Sequence, residues 1–228
     1  MKRLYVYRIV SILFILLSLF EIYKYNTKEC LEINEIVNKN YVFLGDSITD
    51  FYDLDNYFDN KYSIVNSGMN GNRVDDILKN MNDRVYRYNP SDVIILIGIN
   101  DILYKNSSTD EVTKKIEKIT KQIKKHNPYC NIYIQSIYPT NDKWKKEHND
   151  SVPDESILKE KILKINKNIK KYCKENKITY INVHDSLVNK DGYLDNKYTN
   201  DGLHPNEKGY EIITKIIKKE VLGEKKNN

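Results

Sequence analysis

The run Asp92–Ile97, read Asp-Val-Ile-Ile-Leu-Ile, constrains this chain more than any other segment. After its first residue it has no polar alternate, so both faces of an extended strand are apolar. Such a strand needs cover on both sides, as a central strand of a parallel sheet has. Tyr41–Leu44, Tyr62–Asn66, Asn131–Ile137 and Thr179–Val183 read as four further strands. Between them lie segments of helical spacing. These are Val74–Arg87, with Val74, Ile77, Leu78, Met81 and Val85, and Thr109–His126, with Val112, Ile116, Ile119 and Ile123, followed by Glu155–Asn176 and Asn206–Lys219. Alternating strands and helices predict a five-stranded parallel sheet covered on both faces, a doubly wound three-layer α/β/α sandwich. Two irregular stretches, Tyr138–Asp154 and Asp185–Pro205, are long for a compact domain. Irregular stretches of that length usually serve function.

Charge separates the beginning of the chain from the rest. Of the net +5 over 228 residues, residues 1–28 hold +4, through Lys2, Arg3, Arg8, Lys24 and Lys28 against Glu21. The remainder is almost neutral, so net charge offers no basic face for nucleic acid. Ile9–Phe20 is apolar apart from Ser11 and Ser18, and Leu4–Tyr23 has the 20 residues of a bilayer span. A basic start, an apolar run and no small-residue cleavage site predict an uncleaved signal anchor, with cleaved secretion as the alternative. The expected organisation is an anchor and short stalk over 1–28 and a catalytic domain over 29–228. Residues 4–23 would sit in the cell membrane, with the domain outside the cytoplasm. Lys24–Asn38 is polar and reads as a stalk or opening helix. Three cysteines, at 30, 130 and 173, are too few for a dense disulfide framework or a four-cysteine zinc site. Cys130 and Cys173 read as buried small hydrophobes.

Ligands of a doubly wound sheet bind beyond the carboxyl ends of its strands. Those ends carry Gly45-Asp46-Ser47-Ile48-Thr49, Asn66–Asn72, Gly98-Ile99-Asn100-Asp101 and Asp201-Gly202-Leu203-His204. A serine hydroxyl becomes a nucleophile when a base takes its proton and a carboxylate orients that base. The three-residue spacing lets Asp201 hold one imidazole nitrogen of His204 while the other faces Ser47. An oxyanion needs preorganised donors. The Ser47 and Gly71 N–H groups and the Asn100 amide supply three.

These blocks resemble the SGNH, or GDSL-type, family of esterases and acylhydrolases over roughly residues 40–220, with Ile48 where the family name has Leu. The resemblance implies a flavodoxin-like sandwich without metal or organic cofactor. It implies Ser47 as nucleophile, His204 as base and Asp201 as its orienter, with Ser47, Gly71 and Asn100 as the oxyanion hole. It leaves acetyl-sugar, lipid and thioester substrates open. The expected activity is hydrolysis of short-chain acyl esters, the partner being an acylated carbohydrate of the envelope or extracellular space. A lysophospholipase or short-chain lipid esterase, an acyltransferase using the same residues, and a non-catalytic surface binding module are the alternatives.

Other polar residues have plainer readings. Asp46 is expected to brace its loop, and Asp101 to cap the helix after it. His184-Asp185 is the rival base pair, set aside because its members are adjacent. His126 is expected to face a helix C-terminus and His148 to be solvated. Trp144, the single tryptophan, stands among Asp142, Lys143, Lys145, Lys146 and Glu147. It either packs onto the sandwich or offers a platform to a sugar ring.

Overall fold

The computed structural model describes residues 15–26, 28, 39–148 and 151–224. The chain divides into two compact units, Met1–Lys39 and Asn40–Asn228. In the first, residues 15–26 form helix α1, whose Ile15, Leu16, Leu17, Leu19, Phe20 and Ile22 are exposed. Most of the segment 4–23 and of the stalk 24–38 lies outside the described residues. Among those described, no helix is long and apolar enough to cross a membrane.

The second unit begins with β1 (Asn40–Gly45), the short helices α2 (Ser47–Asp50) and α3 (Leu54–Tyr57), and β2 (Ser63–Ser67). Helices α4 (Val74–Lys79) and α5 (Met81–Arg84) lead to β3 (Asp92–Leu96). Then come α6 (Ile99–Leu103), α7 (Thr109–His126), β4 (Asn131–Gln135), α8 (Asp142–His148) and α9 (Glu155–Asn176). β5 (Thr179–Ile181), α10 (His184–Leu187) and α11 (Glu207–Val221) complete it.

The five strands form one parallel sheet in the order β2-β1-β3-β4-β5. All of β3 is buried, as its two-sided apolar run requires. Helices α4, α7 and α9 pack side by side as one group. Helix α11 packs against the segment after β1, where Tyr52 and Tyr210 stack at 4.8 Å and the Tyr52 hydroxyl meets Thr214 Oγ1 at 2.5 Å. The chain leaves β1 for β2 on one side and returns to β3 on the other, so a crevice opens at the reversal. Register brings the strand ends level there: Leu44 lies opposite Ser67, and Gly45 opposite Leu96.

Two helices run over the spans their apolar periods predict, and both are capped or charged to match. Ser108 accepts from the Glu111 N–H at the start of α7, and Lys124, Lys125 and His126 occupy its last turn. The helix expected over Val74–Arg87 is instead α4, α5 and a 3-10 turn at Tyr86–Tyr88. Asn80 breaks it, with non-helical φ −120° and ψ 29° and its side-chain amide donating to the Asp76 carbonyl. The apolar spacing survives these bends because Val74, Ile77, Met81 and Val85 all still point into the core. The irregular stretch 138–154 contains α8, and 185–205 contains a 3-10 turn at Asn196–Tyr198 and two isolated bridges.

Candidate active site

Ser47 follows β1 as the first residue of α2, and Asp46 caps that helix by accepting from the Ile48 N–H at 3.1 Å. Asp46 therefore braces the turn, as expected, and Ser47 is not the cap. The first N–H groups of a helix have no intrahelical acceptor, so the Ser47 N–H is free to point outward from the turn. Ser47 is only 3% exposed. Its Oγ lies 2.9 Å from His204 Nε2, and His204 Nδ1 lies 2.6 Å from Asp201 Oδ2.

Asp201 also receives the Leu203 N–H at 2.9 Å, the His204 N–H at 2.8 Å and the Thr199 hydroxyl at 3.2 Å, all on Oδ1. Burial raises its carboxyl, but the His204 side chain and the two backbone donors outweigh that and hold it well below the usual range. An ionised Asp201 fixes the proton on His204 Nδ1 and leaves the Nε2 lone pair facing Ser47.

The loop holding this pair is pinned by Gly202, at φ +89°. A Cβ there would lie 2.5 Å from Asn141 Oδ1 and 2.7 Å from the Trp144 nitrogen, so only glycine permits the approach. Asn141 completes the clamp. Its N–H donates to the Gly202 carbonyl at 2.9 Å and its amide to the Leu194 carbonyl at 2.9 Å. The two long irregular stretches are thus fastened to each other at the site.

The opposite wall comes from the ends of β2 and β3. Gly71 has φ +75°, and a Cβ on it would meet nothing, so its backbone faces open space. The Met69 N–H donates to the Gly45 carbonyl at 3.2 Å and the Asn70 N–H to Asp50 at 3.1 Å, tying this turn to α2. Asn100 is buried in α6, and its amide donates to the Asn72 carbonyl at 3.0 Å, leaving a second N–H. Ser47, Gly71 and Asn100 thus lie on turns tied together around the crevice.

Several residues stand elsewhere than the sequence suggests. Asp101 lies within α6, and its carboxylate accepts from the Val74 N–H at 3.0 Å, so it caps α4, an earlier helix. His148 is half-buried and not simply solvated: it stacks on Trp144 at 3.9 Å and bonds the Trp144 carbonyl through Nδ1 at 3.0 Å. His126 lies in the last turn of α7, as expected, and stacks on Tyr86 at 4.0 Å. His184 and Asp185 do pair, at 3.0 Å, but after β5, while Ser47 is engaged by His204. Cys130 and Cys173 are buried free thiols, pushed up to about 12 by burial. Among the described residues, no cluster of three His, Cys, Asp or Glu side chains could hold a metal ion.

Trp144 lies edge-on to His204, at 5.5 Å and 80°. Phe51, 51% exposed, meets the same imidazole at 5.1 Å. Phe51 has no sequence signal, because nothing in the chain says that the turn after α2 folds back to His204. Arg84 has none either. It is buried, and donates to the Gly45 carbonyl at 3.0 Å, to Ser67 Oγ at 3.2 Å, and to the Ser67 carbonyl and Asn72 Oδ1.

A serine, a histidine and a carboxylate in hydrogen-bonded file at the switch point of a doubly wound sheet form the architecture of an acyl hydrolase. The chain belongs to the GDSL-like lipase/acylhydrolase family, whose model matches residues 43–212. It is similar to a protein of Streptococcus pneumonia provisionally named a platelet activating factor. That pair shares 26% identity and a TM-score of 0.70, over 89% of this chain and 96% of the other. A GDSL-like lipase of Bacteroides thetaiotaomicron is also 26% identical, with a TM-score of 0.66 over 79% of this chain and 86% of that one. The acetyl xylan esterase AlAXEase shares the fold, at 20% identity and a TM-score of 0.65 over 80% and 99% of the two chains. No curated protein matches the chain.

Proposed function

We propose that this hydrolase is a serine esterase that removes short acyl groups, O-acetyl above all, from carbohydrate of the envelope or extracellular space. The observation that carries the chemistry is the unbroken file from Ser47 Oγ to His204 Nε2 and from His204 Nδ1 to Asp201. Ser47 attacks the acyl carbon while His204 accepts its proton. The Ser47 and Gly71 N–H groups and the Asn100 amide receive the oxyanion. His204 then hands its proton to the departing sugar hydroxyl, leaving an acyl-serine. Water, deprotonated by His204, attacks that ester and releases the carboxylate and Ser47.

The departing alcohol takes its proton from His204 Nε2, so it must lie over the neighbours of that ring. Those neighbours are Phe51 and Trp144, beside the lysine-bearing helix α8. His148 covers one face of Trp144, so a ligand there meets the exposed Phe51 ring and the rest of Trp144 among polar side chains, which suits a sugar ring better than a long acyl chain. The fold shared with an acetyl xylan esterase agrees with this substrate. Residues 4–23 as a retained anchor would place the domain beside such polymers. The exposed apolar side chains of α1 favour a second reading, a lysophospholipase or short-chain lipid esterase held at the same surface.

Rates of the full-length protein on aryl esters from acetate to laurate, on an acetylated xylan and on a lysophospholipid separate the readings. Acetate release from the polymer and a rate falling with chain length are expected. Preference for laurate or the lysophospholipid contradicts the carbohydrate assignment. Protease treatment of intact cells tests location: domain peptides protected from digestion would place the domain inside.

A further inference from the structure

Beneath the two turns that form the crevice lies a buried cation that, among the described residues, touches no carboxylate. Arg84 ends α5 and is only 6% exposed. Among the described residues no carboxylate stands within ion-pair distance of it. Its guanidinium instead spends its donors on neutral oxygens, each belonging to a turn that carries part of the site. Nη2 reaches the Gly45 carbonyl at 3.0 Å, two residues before Ser47, and also the Ser67 carbonyl at the end of β2. Nε reaches Ser67 Oγ at 3.2 Å, and that hydroxyl donates back to the Arg84 carbonyl at 2.8 Å. Nη1 reaches Asn72 Oδ1, and the Asn72 carbonyl accepts the Asn100 amide at 3.0 Å.

Burying a charge without a counter-ion is costly, and arginine does not escape by losing its proton. A core that needed only packing would be served by an apolar residue of similar volume. The rigid fork of the guanidinium reaches four fixed acceptors from three separate nitrogens, a spread that the single nitrogen of lysine does not match. Its charge, met by Asp50 and Asp76 only at longer range, also sets a field that favours negative charge forming in the crevice above it.

We propose that Arg84 is a positioning residue for the oxyanion site, locking the β1 and β2 turns together and holding Asn72 and Asn100 in the geometry that receives the tetrahedral intermediate. This rests on the serine-esterase reading, and it extends the site to a residue that touches no substrate.

The test compares wild type, Arg84→Gln and Arg84→Lys in the full-length protein. The readouts are kcat and KM on an aryl acetate, affinity for phenylboronic acid, which adds to a serine as an anionic tetrahedral adduct, and thermal midpoint. Arg84→Gln should lower kcat about 10- to 100-fold, with KM nearly unchanged and boronate affinity falling in parallel. Arg84→Lys keeps the charge but reaches fewer acceptors, so its kcat should lie between the two. It also serves if Arg84→Gln fails to fold. A wild type that neither turns over the acetate nor binds the boronate refutes the esterase reading and this inference with it. An active wild type whose Arg84 variants keep kcat and boronate affinity, whatever happens to the midpoint, refutes the inference alone. Variants that raise KM without lowering kcat refute it as well.

Discussion

Asp201→Asn changes one group and should remove nearly all activity. The native carboxylate accepts four hydrogen bonds, one from His204 Nδ1 on Oδ2 and three on Oδ1 from Thr199, Leu203 and His204. An asparagine has a single acceptor oxygen. If that oxygen turns to His204 Nδ1, the amide N–H₂ faces two backbone N–H groups, each left unmade at about 1–3 kcal/mol. The other orientation keeps those bonds and points the amide at Nδ1. The imidazole must then carry its proton on Nε2, where it faces Ser47 and cannot act as base. The second orientation is the cheaper, so the wrong tautomer prevails and kcat should fall about 10⁴-fold. Aryl acetate hydrolysis with active-site titration measures it. The same carboxyl is held below its unfolded value. Its contribution to stability is therefore complete above about pH 4 and lost as pH falls toward the folded value. Acid melts should show wild type losing stability below pH 4 that the variant does not lose. An Asn variant with more than a few per cent of wild-type kcat would refute the tautomer argument.

Three further outcomes are expected. Asn100→Ala should lower kcat about 10²- to 10³-fold with little change in KM, since its amide is assigned to the oxyanion; a rise in KM alone would assign it to ground-state binding. Gly202→Ala forces a side chain into φ +89° against Asn141 and Trp144, and should cost at least about 1–3 kcal/mol and displace His204. An unchanged thermal midpoint would contradict that packing. Burial raises the Asp46 carboxyl to about 7, against the Ile48 N–H and the nearby His204, and leaves Oδ2 without a partner. A raised folded value means that stability is greatest at low pH and falls as pH rises toward 7. Asp46→Asn should flatten that fall between about pH 4 and 7, and parallel wild-type and variant profiles would contradict it.

Periodic features of this chain were readable and convergent ones were not. Thr109–His126 and Glu155–Asn176 keep one apolar face over several turns, and nothing interrupts them, so their spans follow from the sequence. Val74–Arg87 keeps the same spacing while Asn80 diverts the backbone, and periodicity cannot see a bend that preserves the buried face. The serine, histidine and aspartate could be read because each lies at a strand end or on a spaced loop pair. Arg84 could not, since a lone arginine after Asn82-Asp83 looks like any surface charge until β1 and β2 bring their carbonyls to it. Asp101 misleads for the same reason: its acceptor serves a helix start 27 residues earlier, a contact made by the sheet and not by the chain. Phe51 gains its place only when α2 folds toward His204, whereas His148 gains its place within α8 itself, one turn after Trp144.

A fluorophosphonate shows whether Ser47 is the nucleophile. The reagent phosphonylates a serine only where a base activates it and donors receive the phosphoryl oxygen. Intact-mass and peptide mass spectrometry on the full-length protein should show one adduct, located at Ser47, that forms in step with loss of esterase activity. It should be absent from Ser47→Ala and much slowed in His204→Ala. No adduct at Ser47, or equal labelling of Ser47 in the His204 variant, would contradict the account.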